Sequence, residues 1–191
     1  MAAALFEQCR AAMADASDAA DFQGDVADLQ PGAITISSAG LLPGGHESPP
    51  EVVQALAELG IDVAAHRSTQ VSPELVTSAD LVVGMARRHA REVVLLDAEA
   101  FPRTFTLKDV VHRGDLAGPR ASGEQLTSWM GRLHLGRQRT DLVGDAEADD
   151  VPDPLGGELD EFRATARELG VLVGRLAGLL WTGRRVGSTP G

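Results

Sequence analysis

Runs rich in β-forming residues alternate with amphipathic helical runs along most of the chain, and none of the junctions carries a hairpin turn signal. Antiparallel neighbours can be joined by two-residue turns, whereas parallel strands need a crossover, usually a helix. The alternation therefore predicts an α/β fold with a parallel sheet covered by helices on both faces. "AITISSAG", "DLVVGM" and "RTFTL" read as strands. "MAAALFEQCRAAMADA" reads as a helix, with Met1, Leu5, Cys9 and Met13 at helical spacing. "SPPEVVQALAELG" has a start at Ser48 and two prolines, an apolar face at Val52, Val53, Leu56 and Leu59, and a stop at Gly60. "SPELVTSA" is a shorter helix of the same kind, and "RRHAREVVLLD" and "SGEQLTSWMGRLHLGRQ" read as two more. The last helix is expected from about Glu158 to Trp181, its stripe of Leu159, Phe162, Ala166, Leu169, Val173, Leu176 and Leu180 being core. A long loop is expected between about Asp109 and Asp153, within one domain over residues 1–183 and a flexible tail at 184–191.

Charge narrows the partners. A formal net charge of −11 repels phosphate backbones and anionic membrane surfaces alike, which argues against nucleic acid and membranes. The two basic clusters, Arg87, Arg88, His89 and Arg91 in "ARRHAR" and Arg132, His134, Arg137 and Arg139 in "GRLHLGRQR", read as solvated helix faces. A single cysteine, Cys9, cannot form an internal disulfide, and no stretch has the build of a leader peptide, so a cytoplasmic location is expected. The apolar run near the end, "LGVLVGRLAGLLW", is interrupted by Arg175 and too short to span a bilayer.

Motifs exclude more than they assign. The five histidines show no i+3 or i+4 pairing with one another, and there is no CxxC or HExxH, so no metal site and no cofactor is expected. No nucleophile elbow, Walker loop or dinucleotide fingerprint occurs, and the glycine-rich "GLLPGGHESPP" reads as a plain turn. Cys9 lies on the apolar stripe of the first helix and reads as a buried, inert thiol. What remains is "DVPDPLGG". Pro152 and Pro154 stiffen the backbone on both sides of Asp153, and Gly156 and Gly157 let the chain turn into the last helix. A carboxyl group held that rigidly suits general acid chemistry; the alternative is that Asp153 shapes a turn or caps the helix.

Several blocks together carry a resemblance: "MAAALFEQ", "ITISSAGLLPG", "PPEVVQALAELGIDVAAHRSTQVSPELVTSADLVVGM", "RTFTLKDVV" and "DVPDPLGG" running into the long helix. In this order they resemble the low molecular weight protein tyrosine phosphatase family, which includes related arsenate reductases, in its longer-loop actinobacterial form. The resemblance implies a three-layer α/β/α fold with a parallel sheet. It also implies hydrolysis of a phosphorylated protein or small phosphomonoester, in which a cysteine thiolate attacks phosphorus and an aspartate protonates the leaving group. Asp153 matches that aspartate, and Ser38 and His66 match residues that brace the phosphate loop; they also fit an ordinary strand end and a satisfied histidine.

In the family, the segment equivalent to "MAAALFEQ" follows a CxxxxxRSP loop directly. The resemblance therefore implies that the first strand and phosphate loop are missing, that this chain holds no nucleophile, and that it is inactive as it stands. Cys9 lies beyond the loop position and is followed six residues later by Asp15, so it does not substitute. A sheet lacking that strand is expected to expose a seam through which copies associate. Two explanations stay open, a start site placed too late and a true non-catalytic pseudophosphatase, with the intact acid loop favouring the first. Leu155, Leu41 and Leu42 stand where aromatic walls would grip a phosphotyrosine ring, and the chain has no tyrosine, so another phosphomonoester or arsenate is admitted as substrate. One cysteine excludes an arsenate reduction that relays disulfides within the chain, leaving only an external thiol for that chemistry.

Overall fold

The computed structural model of the protein describes residues 1–18, 34–144, 146 and 148–181. Seven α-helices appear among them: α1 (Ala2–Asp18), α2 (Pro50–Ala57), α3 (Pro73–Ser78), α4 (Arg87–Leu96), α5 (Leu107–Ala117), α6 (Leu126–His134) and α7 (Leu159–Leu180). Two strands, β1 (Val82–Gly84) and β2 (Thr104–Thr106), pair in parallel, with Val82 opposite Thr104, Val83 opposite Phe105 and Gly84 opposite Thr106. The predicted tail at 184–191 and the side chain of Met13 lie outside the described residues.

Strand alternation sorts the helices into two layers. Val83 packs with the fully buried Phe105 into the main core, which also takes Leu5 of α1, Leu56 of α2, Val110 of α5, Trp129 of α6 and the inner face of α7. Val82, one residue earlier and hence on the opposite face, packs against Val76 of α3, Val93 of α4 and Ala100. The expected parallel sheet between helices is thus present. Helix α7 is the spine: Phe162, Ala166, Leu169, Val173, Leu176 and Leu180 are buried along one stripe against α1, α2 and α5. Each large apolar side chain buried there stabilises the fold by about 1.5–3 kcal/mol.

Three expectations are corrected. The first is the strand "AITISSAG": residues 34–39 form no ladder, and only Gly40 makes a bridge, to Gln70. Alternating Ile34 and Ile36 favour an extended backbone, but a strand exists only where a neighbour accepts its hydrogen bonds, and no strand among the described residues lies beside this segment.

The second is the long loop from Asp109 to Asp153, about half of which is helical: besides the expected helix α6, it holds most of α5 and a short 3-10 turn at Arg139–Leu142. Helix α5 begins where the Thr106 hydroxyl accepts from the Asp109 N–H (3.1 Å), buries Leu107, Val110, Val111 and Gly114, and stops at Gly118, whose φ of 82° suits glycine. Gly114 lets α5 meet α7 closely, because a Cβ there would stand 2.5 Å from Leu179.

The third concerns the basic clusters. Arg137 is buried: its guanidinium lies 4.0 Å from the Phe105 ring centroid and 4.9 Å from that of Phe101. It donates to the Thr104 carbonyl at 2.7 Å and faces Asp109 at 3.4 Å. Burial lowers its pKa, with Asp109 opposing. Arg132 ties α6 to the end of α5, donating to the Ala117 carbonyl (2.8 Å) and to Glu124 (2.9 Å). Arg87 is half-buried in an ion pair, described below. Arginine brings a long apolar stem and five donors, so a partner ring or carbonyl turns a surface pattern into a buried clip.

Candidate active site

Residues 40–46 and 66–71, which flank α2, run alongside one another. The Gly40 N–H donates to the Thr69 carbonyl (2.8 Å), the Gly45 N–H to the Ser68 carbonyl (2.7 Å) and the Ser68 N–H to the His46 carbonyl (2.9 Å). Gly44 permits the approach, since a Cβ there would meet the Ser68 carbonyl oxygen at 2.8 Å. Arg67 and Glu47 close the far end of the pair at 2.7 Å. The glycine-rich stretch is therefore half of a backbone-paired loop, more than the plain turn expected.

This pairing brings the two predicted bracing residues together. Ser38 and His66 line one concavity of about 420 Å³, along with Ser37, Ser48 and Arg67 and the first turn of α1 (Met1, Ala3, Ala4). Both are exposed, so His66 is no buried, satisfied histidine. The first turn of α1 carries no acidic residue, but Glu7 also lines the hollow, and the Arg67 guanidinium that borders it is paired with Glu47 at 2.7 Å. Glu7, one turn further along, is held by Arg10, whose hydrogen bond keeps its carboxyl below the usual range.

Asp153 does not line that concavity. Its loop is fastened at the carboxyl end of β1, where the Val151 N–H donates to the Met85 carbonyl (2.8 Å). The Arg87 N–H donates to Asp150 Oδ1 (2.7 Å), and the Arg87 guanidinium pairs with Asp149 (2.6 Å). Asp153 itself is exposed: Oδ1 accepts from the Leu155 N–H (3.1 Å) and Oδ2 lies 3.6 Å from Arg88. So the carboxylate does shape a turn, while the helix-cap alternative fails, because the N-cap position of α7 is Glu158 and the helix has no side-chain cap. His89 stands beside this group; burial, then Arg88, lowers its pKa, with Asp153 and Asp150 opposing, and its Nε2 accepts from Arg88 Nε (3.2 Å). Sequence reasoning missed Asp149, Asp150 and Arg87 as a fastening for the acid loop. The signal that could have found them is Ala86, a residue unable to cap α4, facing an acidic pair elsewhere in the chain.

Cys9 is half-buried on α1 and packs against the main core, and desolvation raises its thiol pKa. The described residues hold no cluster of three or more His, Cys, Asp or Glu suited to a metal ion. No helix among them is long and apolar enough to cross a membrane.

The model of the low molecular weight phosphotyrosine protein phosphatase family matches residues 4–126. The chain belongs to that family. Among similar proteins is a protein-arginine-phosphatase of Geobacillus stearothermophilus, 30% identical over 150 residues that make up 78% of each chain. A protein-arginine-phosphatase of Bacillus subtilis is 28% identical over 179 residues, or 93% of each chain. The solved low molecular weight protein tyrosine phosphatase of T. tengcongensis superimposes with a TM-score of 0.55 at 26% identity, covering 91% of this chain and 87% of that one. This likeness agrees with the three-layer α/β/α architecture.

Proposed function

We propose that the protein is a cytoplasmic protein phosphatase that removes phosphoryl groups from arginine side chains, with Asp153 as its general acid and base. The observation that carries the chemistry is the stiff Pro152–Asp153–Pro154 loop, fastened at the carboxyl end of a parallel strand, where α/β proteins bind their ligands. Asp153 protonates the leaving nitrogen as the P–N bond breaks, then takes a proton from the water that cleaves the phosphoenzyme. Ser38 and His66 support the phosphoryl pocket at the first turn of α1.

Two features favour arginine over tyrosine as the phosphorylated residue. The two curated relatives above are named for protein-arginine phosphatase activity. In addition, Leu155 and Leu42, at 67% and 73% exposure, offer no aromatic wall for a phenyl ring. Cys9, packed against the core with a thiol pKa raised by desolvation, is poorly suited to be the thiolate that attacks phosphorus.

The test uses the protein as purified from its native cells, with its intact mass and N-terminal peptide determined first. Phosphate release from phosphoarginine-containing protein should exceed release from phosphotyrosine peptides, and Asp153→Asn should lower kcat by about 10²–10⁴-fold. Release from phosphotyrosine alone refutes the arginine assignment. A mass matching Met1–Gly191 with no phosphate release refutes the enzyme and leaves a non-catalytic module, a reading that the unladdered segment 34–39 favours.

A further inference from the structure

The α4 helix begins without a cap of its own. Ala86 occupies the N-cap position and has no side chain able to accept from the first-turn amides, which normally need a partner. The partner comes from the acid loop: Asp150 Oδ1 accepts from the Arg87 N–H at 2.7 Å, across 63 residues of sequence. Asp150 is one residue before Val151, whose own N–H is held by Met85 (2.8 Å), and Asp149 is clamped by the Arg87 side chain (2.6 Å). Three consecutive residues of the loop are thus pinned to Met85 and Arg87. Pro152 then removes most of the backbone freedom between the pins and Asp153.

We propose that Asp150 is a positioning residue for Asp153: by capping α4 from the acid loop, it fixes where the general acid stands. The carboxylate sits at the positive end of the helix dipole, so the contact is charge-assisted as well as directional. Loss of Asp150 leaves Asp153 chemically intact but lets the segment from Asp149 to Pro154 depart from α4. This inference rests on the general-acid role proposed for Asp153.

A leaving-group series on the native full-length protein separates positioning from simple damage to the fold. General acid assistance matters most when the leaving group is a poor one, so aryl phosphates of rising phenol pKa report on it. In kcat/KM, which reports the leaving-group step alone, Asp150→Ala is expected to lose about tenfold on phenyl phosphate and less than about twofold on dinitrophenyl phosphate. Asp150→Asn keeps an oxygen that caps a helix as well as aspartate does, so it should recover most of that loss. A uniform loss across the series overturns the proposal.

Amide hydrogen exchange decides the point without any activity. The Val151 N–H should exchange about five- to tenfold faster in Asp150→Ala and near the wild-type rate in Asp150→Asn, the range expected when an N-cap is removed. Unchanged exchange in Asp150→Ala overturns the proposal. Asp153→Asn serves as the control for the underlying reading. If its own loss is uniform across leaving groups while Asp150→Ala still frees the Val151 amide, the general-acid role fails and the tether stands.

Discussion

Replacing Arg137 measures how much a buried guanidinium contributes to the packing of α5, α6 and β2. Its side chain is 3% exposed and lies between the rings of Phe105 and Phe101. It donates to the Thr104 carbonyl at 2.7 Å and, more weakly, to the Phe101 carbonyl at 3.4 Å. Truncating one partner of such a buried, paired charge costs about 3–5 kcal/mol, because the acceptors it leaves are shielded from water. One term moderates this loss. Asp109 keeps a second partner, Arg113 at 2.6 Å, so it is not stranded. We therefore expect Arg137→Ala to destabilise the fold by about 3–4 kcal/mol. With a urea m-value of about 2 kcal/mol/M, the midpoint falls by about 1.5–2 M at unchanged m. Arg137→Met restores the stem between the rings and should recover part of the loss, leaving about 1–3 kcal/mol for the unpaired Thr104 carbonyl. Arg139→Ala is the control: Arg139 is exposed with one bond to the Ala98 carbonyl, and its loss should cost no more than about 1 kcal/mol. If Arg137→Ala costs no more than Arg139→Ala, the buried-clip account is wrong.

Two further outcomes follow from titrating groups. Burial lowers the pKa of both His89 and His134, so below about pH 6.5 the unfolded chain binds protons that the folded one refuses. Stability should therefore fall between pH 6.5 and 5, above the range where the lowered carboxyls of Glu7, Glu58, Glu74 and Glu124 begin to act. Urea midpoints that stay level across that window would contradict it, and His134→Gln should flatten the slope. The Cys9 thiol, raised by desolvation, should react with a disulfide reagent at pH 8 about tenfold more slowly than a free thiol. Its alkylation should leave phosphatase activity in place, and loss of turnover in step with Cys9 modification would make it the nucleophile after all.

The elements that could be read from the sequence are those fixed by local chemistry. Helices α2 and α3 open on prolines, α3 with Ser72 accepting from the Leu75 N–H, and α7 carries an uninterrupted apolar stripe. Helix α5 was legible too, through Thr106, Leu107, Val110, Val111 and Gly118, but charged residues between the apolar ones disguised its period as a loop. The segment "AITISSAG" misled for a different reason. Its alternation states a preference for extended backbone, whereas a ladder is a property of two segments and cannot be read from one.

The same distinction governs the site. The stiffness of Asp153 is written in its two flanking prolines, and nothing distant is needed to see it. Where that stiffness points is not local: it depends on an aspartate three residues earlier finding an uncapped helix 63 positions back in the chain. Ser38 and His66 likewise look like unrelated residues until the backbone pairing of 40–46 with 66–71, made possible by Gly44, brings them to one hollow. A single sequence therefore displays the chemically able groups, and it hides their convergence whenever the contact that aligns them is a cap or a backbone pair between distant segments. For this chain the decisive contacts are of that kind. That is why the acid loop was visible as a motif, while the residues that aim it came to light only in three dimensions.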